Sequence, residues 1–308
     1  MTRTTSSDKF LWAGLAVIFL ALPFIGQDYL IGIGLSFLMW LALTQSWSIL
    51  SNMTGYISLG HVVFYGLGSY IVVITWQQIP LWLAIAASGL ASALFAALVG
   101  LPVLRVRGPY FVILTFGLAE LVKYILLALE AHLGISSRLL FSTPDITDIY
   151  WIMFGMAAVS TLLIEIVHRS RFGHGLRSLR ENEEAAETLG VPIARYKLTA
   201  YVLSAIIPGM VGGVMALRST YFEASQAFDA MISINIIVMA IIGGGDNARG
   251  PLIGVAFLVA LSELLWAEAP QFYMIILGVL MVLFVVKLPN GLLGLLENRK
   301  KRLGRRTA

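Results

Sequence analysis

The sequence predicts an all-α fold, a polytopic transmembrane helix bundle of about ten spans with both termini in the cytoplasm. Three observations carry this reading. Hydrophobic residues fill 58% of the 308 positions and charged residues only 12%, about half the charged share usual for a soluble domain. The mean hydropathy is +0.86, more apolar surface than a soluble chain of this length can hide. Apolar runs long enough to cross a bilayer follow one another almost without a break.

Taken in order, the apolar runs lie near 10–26, 29–50, 58–76, 81–104, 109–129, 150–167, 199–217, 231–245, 251–266 and 272–287. The first is read as a span rather than a signal peptide. No small-residue cleavage pattern precedes Gln27, and the next run begins at once. The eighth and ninth are short, so eight spans plus two re-entrant segments would satisfy the same pattern. Charge fixes the orientation. With the N-terminus inside, Arg3, Lys9, Arg105, Arg107, the 169–197 loop, Arg249 and the basic tail at 288–308 all fall on the cytoplasmic side. Asp28, Glu130, Asp145, Asp148, Glu223, Asp229 and Glu268 fall outside, with Arg138 as the clear cation. Positions 1–308 form one transmembrane domain, since no stretch outside the spans is long enough to fold alone.

The longest polar run, 169–197, holds six of the 21 Lys and Arg residues and four Glu. Its centre, 182–192, reads as a short capped helix. Asn182 caps its start, and Glu183 and Glu184 occupy the first turn, where the helix dipole favours negative charge. Gly190 supplies the left-handed residue that ends a helix, and Pro192 blocks continuation. Such an element suits the grip of a soluble partner.

Two glycine-rich stretches interrupt the spans: 55–70, with Gly55, Gly60, Gly66 and Gly68, and 243–254. Either they are broken helices lining a path, or the glycines pack helices closely. Gly209/Gly213 and Gly250/Gly254 also fit close packing. Polar groups within spans are few. Glu120 and Lys123 share a face of the fifth span and can pair. Asn235, Glu263 and His61 stand singly. Arg218 and Glu165 lie near span ends, where snorkelling suffices. The candidate path residues are therefore Ser58, Gly60, His61, Gly66, Gly68, Glu120, Asn235, Gly243 and Gly244.

Enzyme signatures are missing. There is no Gly-Lys pair and so no P-loop, and neither HExxH nor GxSxG occurs. Without cysteine, disulfides and thiolate metal sites are excluded. No cofactor, metal or nucleic-acid partner is expected.

Four stretches carry a family resemblance: SLGHVVFYGLGSY at 58–70, LPVLRVRGPYFVILTFGLAELVKYI at 101–125, the 169–205 segment, and GGGDNARGPLIG at 243–254. In order and spacing the chain resembles the LivM-type permease subunits of ABC importers for branched-chain amino acids. Glu184-Ala185-Ala186 followed by Gly190 resembles the EAA-Gly signature of such permeases. The hydrophobic-Pro ending of that signature is out of register here, at Ile207-Pro208. Asp246 and Arg249 depart from the usual pattern of the last stretch.

The resemblance implies a coupling helix carrying Arg180, Asn182, Glu183, Glu184, Ala185, Ala186 and Gly190. It also implies a second homologous permease subunit, two cytoplasmic ATP-binding subunits, an external substrate-binding protein, and residence among the lipids of a bacterial inner membrane. Relatives of this build carry urea, amides or aromatic acids. The alternative from residues alone is a secondary transporter driven by an ion gradient, with Glu120, Lys123 and Glu263 as its only coupling candidates. A scaffold or sensor would normally carry a soluble output domain.

Overall fold

A computed structural model describes residues 17–134, 137–245 and 247–268, together with position 14 and scattered positions between 275 and 295. A short 3-10 helix, Leu22–Ile25, leads into α1 (Asp28–Thr54), α2 (His61–Thr75), α3 (Leu81–Val103) and α4 (Pro109–His132). Then come α5 (Ile146–Arg169), α6 (Arg171–Glu181), α7 (Glu183–Thr188) and α8 (Ile193–Ala216). The described chain closes with α9 (Ala224–Ala227), α10 (Ala230–Gly243) and α11 (Arg249–Glu268). The one departure from an all-α fold among these residues is a pair of two-residue strands, β1 (Arg138–Leu139) and β2 (Tyr221–Phe222). They pair antiparallel, Arg138 opposite Phe222.

Six stretches are long and apolar enough to cross a membrane: α1, α3, α4, α5, α8, and α9 with α10 taken together. The helix α2, with 15 residues, is shorter, below the roughly 20 that a hydrocarbon core requires. For the glycine-rich stretch 55–70 the two readings were a broken helix and close helix packing, and its first part is a break. Residues 55–60 are non-helical, and the helix begins only at His61. Of the first expected span, 10–26, residues 17–21 are helical and lead into the 3-10 helix. Most of the tenth expected span and most of the basic tail fall outside the described residues.

The bundle is built around α8, which packs on α1, α2 and α3. Contact with α2 is backbone to backbone. A Cβ on Gly68 would stand 1.8 Å from the Gly209 carbonyl oxygen. Gly243 and Gly254 do the same for α10 and α11. Close packing accounts for these glycines.

The apolar core has two main parts and a small third one of Val62, Val63 and Ala119. The larger part surrounds Trp47, Tyr150 and Phe228. The smaller gathers Met53, Phe64, Phe111 and Tyr201 with Leu176 and Leu179 of α6 and Ala186 of α7. The 169–197 loop is thus continuous with the bundle.

Hydrogen bonds sort the loops into two ends. At one, the basic end, Arg180 Nη1 donates to the Asn52 carbonyl at 2.7 Å and Asn52 Nδ2 to the Gly245 carbonyl at 2.8 Å. At the other, Trp76 and Gln77 donate to the Phe141 carbonyl, and Leu140 N–H donates to Thr220. Segments expected on the same side of the membrane are found together.

Candidate functional site

The helix expected at the centre of the polar run is α7, and its caps are as the residues predict. Asn182 Oδ1 accepts from Ala185 N–H at 3.1 Å. Gly190 adopts φ +83, a conformation that costs other L-residues about 1–2 kcal/mol. The preceding polar residues also form a helix. Ser170 caps α6 by accepting from Gly173 N–H at 3.1 Å, and Leu176 and Leu179 bury its apolar face. That helix was not foreseen. Its signal was Phe172, Leu176 and Leu179 at helical spacing behind a serine cap.

Glu183 and Ala186 of α7 face the bundle. Glu183 Oε1 lies 2.6 Å from Lys197 Nζ and accepts from the Tyr56 hydroxyl at 2.6 Å. Arg107 Nε stands 3.0 Å from Oε2, an ion pair outside hydrogen-bond geometry. Lys197 also donates to the Tyr56 hydroxyl and is only 3% exposed. One carboxylate therefore ties α7 to the base of α8, to the segment after α1, and to the loop before α4.

Burial would raise the Glu183 carboxyl. Hydrogen bonds from Lys197 and Tyr56, with the charges of Lys197 and Arg107, outweigh it and hold the group below the usual carboxylate range. Burial, and then the hydrogen bond to Glu183, push the Tyr56 phenol far up.

The outer face of α7 presents Glu184, Ala185, Glu187 and Thr188, all exposed. Leu189, just past its end, is 81% exposed. Sequence reasoning passed over this leucine. A solvent-facing leucine at the tip of an otherwise polar element is the distinctive feature of this end.

The segment 55–60 joins this site to the interior. Side chains meet three of its backbone donors: Tyr56 N–H by Thr54 Oγ1 at 3.3 Å, Leu59 N–H by Thr115 Oγ1 at 3.1 Å, and Gly60 N–H by Ser58 Oγ at 3.2 Å. Trp47 Nε1 donates to the Ser58 carbonyl at 2.8 Å, and Val62 N–H to Ser233 Oγ at 3.0 Å. His61 is buried with Nε2 3.2 Å from Ser204 Oγ. That hydroxyl donates to the Tyr201 carbonyl, so it accepts from Nε2–H, and Nδ1 has no partner among the described residues. Unwound backbone inside a membrane needs this kind of enclosure.

Ser58, Gly60, His61, Gly66, Gly68 and Gly243 are all buried between helices of this one subunit. Gly66 lies under the Phe228 ring, and Gly244, with φ +71, ends α10. Asn235 on α10 has a buried Oδ1 with no partner among the described residues. Glu120 stands apart, 3.9 Å from Lys123 on α4, both side chains about a quarter exposed. Glu263 instead accepts from Tyr29. The three groups an ion-coupled mechanism would use do not converge.

Fold and site together define a polytopic helical membrane permease component with a capped, surface-seated helix at one end. The sequence model described as "Branched-chain amino acid transport system / permease component" matches residues 29–285, and the chain belongs to that family. It is 27% identical to the high-affinity branched-chain amino acid transport system permease protein LivM of Salmonella typhimurium, over 94% of this chain and 76% of the relative. The LivM of Escherichia coli K12 is 26% identical over the same shares. A nucleoside ABC transporter permease protein, NupC of Lactococcus lactis, is 25% identical over 56% of this chain and 59% of its own length. No solved structure matches.

Proposed function

We propose that this chain is one permease subunit of an ATP-driven importer for branched-chain amino acids in a bacterial inner membrane. It works with a second permease subunit, two cytoplasmic ATP-binding subunits and an external binding protein. It crosses the membrane about ten times, with both ends in the cytoplasm. The observation that carries this reading is α7: anchored inward through Glu183 and Ala186, and offering Leu189 outward at the basic end. A helix held this way passes a push to α8 and to the 55–60 segment together.

The path runs along α4, on the face turned to the second permease. Only 11% of the apolar stretch of α4 is buried within the subunit, yet it carries the Glu120–Lys123 pair near its middle. Charges at that depth are costly against lipid and call for a protein or aqueous neighbour. In the proposed cycle, ATP binding draws the ATPase subunits together, α7 follows, and the two permeases part on the outer side. Hydrolysis resets them.

Gentle purification from the native membrane tests the assembly. The expected companions are a second permease and P-loop ATPases. Leu189→Asp should remove the ATPases while leaving the permease inserted. Retention of the ATPases by that variant at equal expression would sink the coupling assignment.

A further inference from the structure

A second charged constellation lies at the end opposite α7 and takes no part in coupling. The end of α8, β2, α9 and one side of α2 enclose a cavity of about 480 Å³, within the range of small-molecule sites, about 300–1,000 Å³. Arg218 and Glu223 line it, together with Ser69, Met215, Phe222 and Ala227.

The two charges are held differently. Glu223 is fixed by its own loop. It accepts from Gln226 Nε2 at 3.1 Å, from the Tyr221 hydroxyl at 3.4 Å, and from the Ser225 hydroxyl. Its position is therefore set before any ligand arrives. Arg218 reaches across to α1, where its Nη2 would lie 3.8 Å from a Cβ on Gly32. Among the described residues its side chain has no ion-pair or hydrogen-bond partner. One cavity thus offers a free guanidinium fork, an oriented carboxylate, and an apolar wall of Met215, Phe222 and Ala227.

That combination matches one ligand chemistry. A guanidinium grips a carboxylate through two parallel hydrogen bonds. A carboxylate receives an ammonium. An α-amino acid with an apolar side chain presents all three features from one carbon. A simple acid would leave the Glu223 charge with no cation beside it, and a simple amine would leave the Arg218 guanidinium unpaired. Polar groups left unpaired in this way reject an analogue more strongly than a missing methylene does.

We propose that this cavity is an outer receiving site for the zwitterion of an apolar α-amino acid, with Arg218 on its carboxylate and Glu223 on its ammonium. The assignment rests on the reading of the chain as an amino-acid importer subunit. The cavity lies on the face where that reading puts the exterior, and α9, which lines it, touches α4. A substrate released by the binding protein would rest here before the path along α4 opens.

The test uses the complete permease–ATPase complex in lipid nanodiscs without binding protein, and radiolabelled leucine up to millimolar concentration. Saturable binding is expected. Arg218→Gln and Glu223→Gln should each weaken it by at least about tenfold, the loss of one charged hydrogen-bonding partner. Arg218→Lys should restore part of it. 4-Methylpentanoate and 3-methylbutylamine, which each lack one charge of leucine, should fail to compete.

No saturable binding to the wild type would overturn the proposal. So would binding unchanged in both variants. So too would variants that bind leucine normally but capture the leucine-loaded binding protein poorly, which would make Arg218 a protein-docking residue. Uptake by the complete wild-type transporter separates this from the broader reading. Amino-acid import without leucine binding at the cavity removes the receiving site alone. Import of a different solute class removes the amino-acid reading itself.

Discussion

Glu183 has three partners on three different elements, so changes at this one side chain should be felt at α7, α8 and the 55–60 segment together. Removing one member of a buried ion pair costs about 3–5 kcal/mol where the survivor stays buried. Glu183→Gln should fall below that, because Arg107 is largely exposed and the amide keeps one acceptor. Tyr56→Phe removes a single hydrogen bond, about 1 kcal/mol. Hydrogen–deuterium exchange over 183–188 should rise in both variants, more in the first. Acid should act in the same sense. The folded Glu183 carboxyl is depressed, so its contribution is complete above the ordinary Glu pKa, about 4.3. It is lost as pH falls through the folded value. The protection of α7, corrected for the pH dependence of intrinsic exchange, should therefore fall in acid for the wild type and change much less in Glu183→Gln. The caps at Asn182 and Gly190 were legible because capping is local chemistry. The inward turn of Glu183 was not. A first-turn glutamate already has a sufficient local explanation, and Tyr56 is 127 positions away.

Close contact between α2 and α8 leaves no room for a side chain at Gly68, where a Cβ would fall 1.8 Å from the Gly209 carbonyl oxygen. Gly68→Leu must push the helices apart, and overpacking of this kind costs about 1–3 kcal/mol or more. Thermal unfolding in detergent should show a lowered midpoint. Gly117→Leu, on the open face of α4 where nothing stands within 4 Å of an added Cβ, should leave the isolated subunit's midpoint unchanged. If it then weakens pairing with the second permease, the assignment of that face gains support. Normal pairing and uptake would count against it. Helices announced by long apolar runs were readable, because membrane length and hydropathy are set along the chain. The late start of α2 at His61 was legible only as one of two readings of the glycines at 55–70, a break or close packing, because the choice depends on side chains from α1, α4 and α10.

The arrangement of the loops at two ends agrees with their sorting by charge, and the absence of cysteine makes a direct topological test simple. Single cysteines at Leu139 and Leu189 would stand at opposite ends, and both native residues are well exposed. In intact cells a membrane-impermeant maleimide should label Leu139→Cys and spare Leu189→Cys. The reverse pattern would invert the proposed orientation. Which loops share an end was legible because basic and acidic residues segregate. The division of glycines between breaks and contacts was not, because one residue type serves both purposes and only the facing backbone decides.

The two-faced character of α7 has a bearing on how such transporters diversify. Its inner residues, Glu183 and Ala186, are committed to this subunit's own architecture. Its outer residues, Glu184, Ala185, Glu187, Thr188 and Leu189, make no such commitment. On the proposed coupling role, a lineage could exchange its motor without redesigning its channel, by rewriting five neighbouring codons. Chimeras that swap only those five positions between relatives should insert and fold normally while changing which ATPase they recruit.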